Sequence, residues 1–147
     1  MFLINRRFRE AVIVSTLAFA SVAAQAATIT FRAKLDAASE VPAKTSDGKG
    51  TVKATLNTDT EEFTYHIEFS GLTGPATAAH FHGPAAPGAN AGPQLPIKAA
   101  SIASPLDGTA TLTPEQAKDL LEGKWYFNVH TSANPGGEIR GQLVKGK

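Results

Sequence analysis

The chain has 147 residues, no cysteine, and 14 basic against 13 acidic side chains. Three arginines and one glutamate precede Ala27, so the remainder is near neutral and offers no electrostatic footprint for nucleic acid or an anionic membrane surface. Without thiols, disulfide frameworks, zinc-thiolate clusters and cysteine nucleophiles are excluded, and a domain of this size has to rest on its apolar core.

Residues 1–26 carry the pattern of a cleaved export signal. Arg6, Arg7 and Arg9 form a basic end, Ala11 to Ala24 an apolar run, and Ala24-Gln25-Ala26 a small-x-small cleavage site. The run is shorter than the roughly 20 residues a spanning helix needs. A periplasmic or secreted domain over residues 27–147 is therefore expected, with no membrane span after cleavage.

From Ala27 onward apolar residues alternate with polar ones. The stripes are Ile29, Phe31, Ala33 and Leu35, then Val52, Ala54 and Leu56, then Phe63, Tyr65, Ile67 and Phe69. Trp125, Phe127 and Val129 follow, with Ile139 and Leu143 marking a last strand. Such strands, separated by Gly, Pro, Asn and Asp, predict an all-β fold: an antiparallel Greek-key-like β-sandwich, or a partly closed barrel. One short helix is expected at about 114–122, with Thr113 as N-cap, Pro114 at the first position, Gln116 completing a capping box and Gly123 as the stop.

Turns are legible at residues 46–50 and at Asn57-Thr58-Asp59-Thr60, the latter as a tight hairpin. Asn134-Pro135-Gly136-Gly137 suits a type II turn with positive φ at Gly136. Gly141 suits a close approach of another backbone. Residues 83–96, rich in Pro, Gly, Ala and Asn, read as a long exposed loop.

The candidate chemistry lies in the histidines. His80 and His82 are one residue apart on a strand, so they share a face at about 7 Å. Ala79 and Phe81 take the inward positions and turn both histidines outward. His130 follows the inward Val129 and shares its outward face with Tyr126 and Asn128. If the two strands are neighbours, His80, His82 and His130 form a three-imidazole metal site suited to copper, with zinc as second choice. The only methionine, Met1, lies in the signal, so no thioether site competes. His66, Glu68 and Glu138 are possible accessory groups. Glu138 and Arg140 fall on one side of the last strand, where a surface ion pair is the simpler expectation. Arg140 is also placed to brace that strand through loop carbonyls. No Gly-x-Ser-x-Gly elbow, phosphate-cradling loop or His-Glu-x-x-His helix is present.

The chain resembles the chordin-type (CHRD) domain family, as a single-domain exported bacterial member. The resemblance rests on Ser39-Glu40-Val41-Pro42, Ser70-Gly71-Leu72-Thr73-Gly74 and Ala78-Ala79-His80-Phe81-His82-Gly83. It continues through Leu112-Thr113-Pro114-Glu115-Gln116, Asp119-Leu120-Leu121-Glu122-Gly123 and Tyr126-Phe127-Asn128-Val129-His130-Thr131, and ends in Asn134 to Leu143. It implies the fold and export, and the family motif includes the positions of His80, His82 and His130 but not His66. Two functions stay open. One is metal storage, transfer or buffering; the other is a non-catalytic interaction module for an envelope or extracellular protein, with the 83–96 loop as contact surface. A superoxide dismutase-like activity is a remote third, by analogy of fold and His-x-His dipeptide alone.

Overall fold

A computed structural model describes residues 27–99 and 101–146; the expected signal, residues 1–26, lies outside them. The elements are β1 (Thr28–Asp36), β2 (Lys49–Asn57), β3 (Glu62–Ser70), β4 (Ala76–His82), β5 (Pro93–Pro96), β6 (Leu106–Thr111), α1 (Pro114–Leu121), β7 (Tyr126–Thr131), β8 (Ile139–Gln142) and β9 (Val144–Lys145). The strands form one antiparallel sheet in the order β5-β4-β7-β8-β1-β2-β3-β6, with β9 also on β1.

This sheet curls so that its two halves face each other, which is the partly closed barrel among the expected forms. Phe81 of β4 meets Phe63 and Tyr65 of β3 at ring-centroid distances of 5.2 and 5.3 Å, although four strands lie between them in the sheet order. Register aligns the inward stripes into rows. Ala33, Val52, Ile67 and Leu106 lie opposite one another along β1, β2, β3 and β6, and the row of Phe31, Ala54, Tyr65 and Gly108 runs beside it. Every stripe named from the alternation supplies buried residues, including Phe31, Leu56, Phe63, Ile67, Trp125, Phe127 and Ile139. Each large apolar side chain so buried contributes about 1.5–3 kcal/mol.

Strand β6 escaped the sequence reading because only Leu106 supplies a large apolar side chain to its inward face. Its inward Gly108 is required by packing: a Cβ there would stand 2.5 Å from the Tyr65 Cζ. The β1–β8 junction has the same logic at Gly141, where a side chain would collide with the Lys34 carbonyl. Helix α1 follows its sequence signals. Thr113 Oγ1 accepts from the Gln116 N–H at 3.2 Å, the Gln116 Oε1 accepts from the Thr113 N–H at 3.0 Å, and Gly123 at φ +73° ends the helix. Its apolar face buries Ala117 and Leu120.

Two loops differ from expectation. In the 134–137 turn the positive φ falls on Gly137, at +123°, and not on Gly136. The 83–96 segment is a largely exposed loop over residues 83–92 only, and it is not free: Pro93–Pro96 pairs with β4 as an edge strand. Prolines at both ends kept it from reading as a strand, yet an edge tolerates them. The remaining residues fold back over the outward face of β4, β7 and β8, tied down by Ala85 N–H to the Lys124 carbonyl (2.8 Å) and Asn90 Nδ2 to the Val41 carbonyl (3.1 Å).

Candidate metal centre

Strands β4 and β7 are direct neighbours, with Ala78 opposite His130, His80 opposite Asn128 and His82 opposite Tyr126. The inward side chains Ala79, Phe81, Phe127 and Val129 are buried in the core, so period-two geometry places all three histidines on the other face. That face is not open water. His82 and His130 are each only 9% exposed, because the returning loop and the 134–137 turn cover them.

The three imidazoles converge. His80 Nδ1 lies 3.1 Å from His130 Nε2, and one ring nitrogen from each of His80, His82 and His130 falls within 4.8 Å of the others. Ring centroids are 4.9 Å apart for His80 and His130, 5.4 Å for His80 and His82, and 6.3 Å for His82 and His130. Imidazole nitrogens at 2.0–2.1 Å from a tetrahedral ion stand about 3.3 Å apart, so one pair is already at that spacing and the widest gap needs about 1.5 Å of closure. Among the described residues this is the one histidine, cysteine or carboxylate cluster with such geometry.

Two ring orientations are set by backbone carbonyls. His82 Nδ1 faces the Ala91 carbonyl at 2.9 Å and His130 Nδ1 faces the Pro135 carbonyl at 2.9 Å. A carbonyl only accepts, so both Nδ1 atoms carry a proton, and in the neutral ring it is Nε2 that keeps the lone pair. This fixes each tautomer as metal-ligating histidines usually are fixed. His82 Nε2 is buried and has no hydrogen-bond partner among the described residues. Burial holds the pKa of His80 below its ordinary value, and the neighbouring His130 and His82 push it further down. Burial likewise lowers that of His82, against the Ala91 carbonyl, which favours the charged ring. Both rings are thus biased toward the neutral form that binds cations.

A stack supports His82 from the side. The Tyr126 ring lies parallel to it (4°) at 4.8 Å, and the Arg140 guanidinium carbon sits 3.4 Å from the Tyr126 centroid. Arg140 also donates from Nη1 to Asn90 Oδ1 at 2.8 Å and from Nη2 to the Ala89 carbonyl, so it clamps the covering loop. The loop-bracing role expected of Arg140 is the one found; the surface ion pair with Glu138 is not, since both residues are buried and Arg140 turns elsewhere.

The accessory candidates stand apart. His66 lies on β3, separated from β7 by β8, β1 and β2, and meets Asp107 Oδ1 at 2.6 Å and Glu68 Oε1 at 3.7 Å. Its bond to Asp107 raises its pKa, the reverse of His80 and His82. Glu138 is fully buried and accepts from Ser46 Oγ, the Thr73 N–H, Thr73 Oγ1, Thr131 Oγ1 and Asn134 Nδ2 at 2.7–3.2 Å. Burial alone would raise its pKa, but these donors outweigh it and bring the carboxyl down to about 2. It is a structural knot joining three loops.

The sequence reading missed Glu40 as part of this region. It is 5% exposed, and burial raises its pKa against Arg140, Asn128, the Val41 N–H and His130, which all lower it. Its Oε1 lies 3.5 Å from Asn128 Nδ2, and Gly137 leaves room for both: a Cβ there would stand 2.8 Å from Glu40 Cδ and 2.7 Å from Asn128 Nδ2. Glu40 sits after the first strand in a loop, where nothing local marks burial.

No helix among the described residues is long and apolar enough to cross a membrane. No curated protein and no solved structure matches the chain. The family profile described as CHRD domain matches residues 31–143, a span that holds the whole curled sheet apart from its first and last few residues and includes all three converging histidines. On that match, the chain belongs to the CHRD domain family.

Proposed function

We propose that this protein is an exported metal-binding module that holds one Cu(II) or Zn(II) ion through His80, His82 and His130, for storage, transfer or buffering. The carrying observation is the convergence of three imidazole nitrogens within 4.8 Å, two of them on rings whose Nδ1 protons are pinned by carbonyls. Imidazoles without thiolates suit borderline divalent ions such as copper and zinc. The covering loop supports the same reading, since it excludes bulk water from two of the ligands. Export is supported by the signal pattern before Ala27 and by the extracellular character of CHRD domains.

Metal analysis and calorimetric titration of untagged protein test this reading. One equivalent of Cu(II) with a nitrogen-rich electron spin resonance spectrum is expected, and His80→Ala or His130→Ala weakens binding at least 100-fold. Absence of stoichiometric binding, or equal affinity in those variants, contradicts it. The interaction-module alternative has less support than the sequence offered, because the proposed contact loop is fastened to Arg140, Tyr126 and Lys124 rather than presented freely.

A further inference from the structure

Beside the histidines stands a side chain that neither the motif reading nor the three-histidine site uses. Asn128 is on β7, directly opposite His80 and two residues before His130, so it projects from the same face as the cluster. It is 3% exposed, and its Oδ1 is buried with no hydrogen-bond partner among the described residues. An unpaired buried amide oxygen is destabilising, so its retention here calls for a compensating partner.

The direction of the amide is set. Glu40 Oε1 and Asn128 Nδ2 are 3.5 Å apart, and a carboxylate only accepts, so the amide nitrogen faces Glu40 and the oxygen faces away from it. The other side of the amide stands beside the His82 ring, whose Nε2 is the second buried atom of this face without a partner. Both orphans are electron-pair donors once the His82 proton is fixed on Nδ1 by the Ala91 carbonyl. Two lone pairs on neighbouring side chains cannot satisfy each other, whereas a cation held between them would satisfy both.

We infer that Asn128 Oδ1 is the fourth ligand of the centre, completing a His80-His82-His130-Asn128 set in which Glu40 is a positioning residue acting through the Asn128 amide nitrogen. This inference rests on the three-histidine reading above and adds an oxygen to it. An N3O set closes the coordination shell of a tetrahedral ion without a bound water, which is the pattern of a holding site and not of an open catalytic one. It also gives Gly137 a function beyond its φ of +123°, since any side chain there would displace Glu40 or Asn128.

The test uses the full mature chain with Zn(II) for affinity and Co(II) for the visible spectrum, in wild type, in Asn128→Ala, and in the paired swap Asn128→Asp with Glu40→Gln. The swap reverses the donor and acceptor but keeps an oxygen at the ion. Asn128→Ala is expected to weaken Zn(II) binding about 10- to 100-fold and to shift the Co(II) bands from four-coordinate toward a water-bearing form, while the swap retains the four-coordinate bands. Circular dichroism of each metal-free variant shows that the fold is kept, and the swap supplies the answer if Asn128→Ala does not fold. Wild-type affinity with unchanged Co(II) bands in Asn128→Ala, or water-bearing bands in the swap, overturns the fourth ligand while leaving the histidines in place. Failure of wild type to bind either ion overturns the histidine site itself.

Discussion

The two halves of the curled sheet show their histidines to different surroundings. On β3, His66 points outward into solvent with a 40% exposed side chain and answers to Asp107 and Glu68, so its pKa is raised. On β4 and β7, His80, His82 and His130 also point outward, but a returning loop and a turn bury His82 and His130 and leave His80 half-buried, and burial lowers the pKa of His80 and His82. Strand alternation alone gives all four residues the same status. What separates a solvated histidine from a candidate ligand is the chain that comes back to cover it, and Arg140, Glu138, Tyr126 and Gly137 are the residues that hold that cover.

The largest expected effect comes from removing the knot beneath the cover. Glu138→Ala strands buried donors on Thr73, Thr131 and Asn134 and should cost about 3–5 kcal/mol in chemical denaturation. For the wild-type protein, the Glu138 carboxyl titrates near 2 when folded against an ordinary 4.5. Its contribution is therefore complete above about pH 4.5 and is lost as pH falls toward 2, so acid unfolding should steepen across that window and flatten in Glu138→Gln.

Next in size is Arg140→Ala, which removes two hydrogen bonds to the loop and the contact with Tyr126 and should lower stability by about 2–3 kcal/mol. An unchanged melting temperature would break the account of the cover.

A smaller effect sharpens the contrast directly. In the metal-free protein, His80 and His82 have folded pKa values below the ordinary 6.5, so their contribution is present above that pH and lost as pH falls through the folded values. His66 runs the other way: its folded pKa is above 6.5, so its contribution is present below that value and lost as pH rises through the folded one. Ring-proton resonances followed across pH 4–9 should place His66 above the other two, and the reverse order would contradict the burial assignment. The smallest effect is that of His66→Ala, which should leave metal stoichiometry and affinity as in wild type.

Much of this was legible in the residues. The inward stripes, the capped helix and the shared face of His80, His82 and His130 are local patterns, set by the period of a strand or the geometry of a helix start. What did not show is what depends on distant chain. Strand β6 carries little apolar signal because Tyr65 fills the space above Gly108. Glu40 looks like a loop carboxylate until Arg140 and Asn128 are brought to it from residues about 90–100 positions later. Glu138 and Arg140 look like an exposed pair on a last strand, yet each is buried and held by loops that lie 50 to 92 positions earlier. Gly136 and Gly137 are equivalent as sequence; only the packing of Glu40 and Asn128 against the second distinguishes them.

The central claim is that three imidazoles from two adjacent strands share one ion under a fixed cover. X-ray absorption at the metal edge of the Cu(II)- or Zn(II)-loaded protein tests it most directly. The account predicts three imidazole rings at about 2.0 Å from a single ion. A shell with one imidazole or none, or one that persists unchanged in His82→Ala, would contradict it.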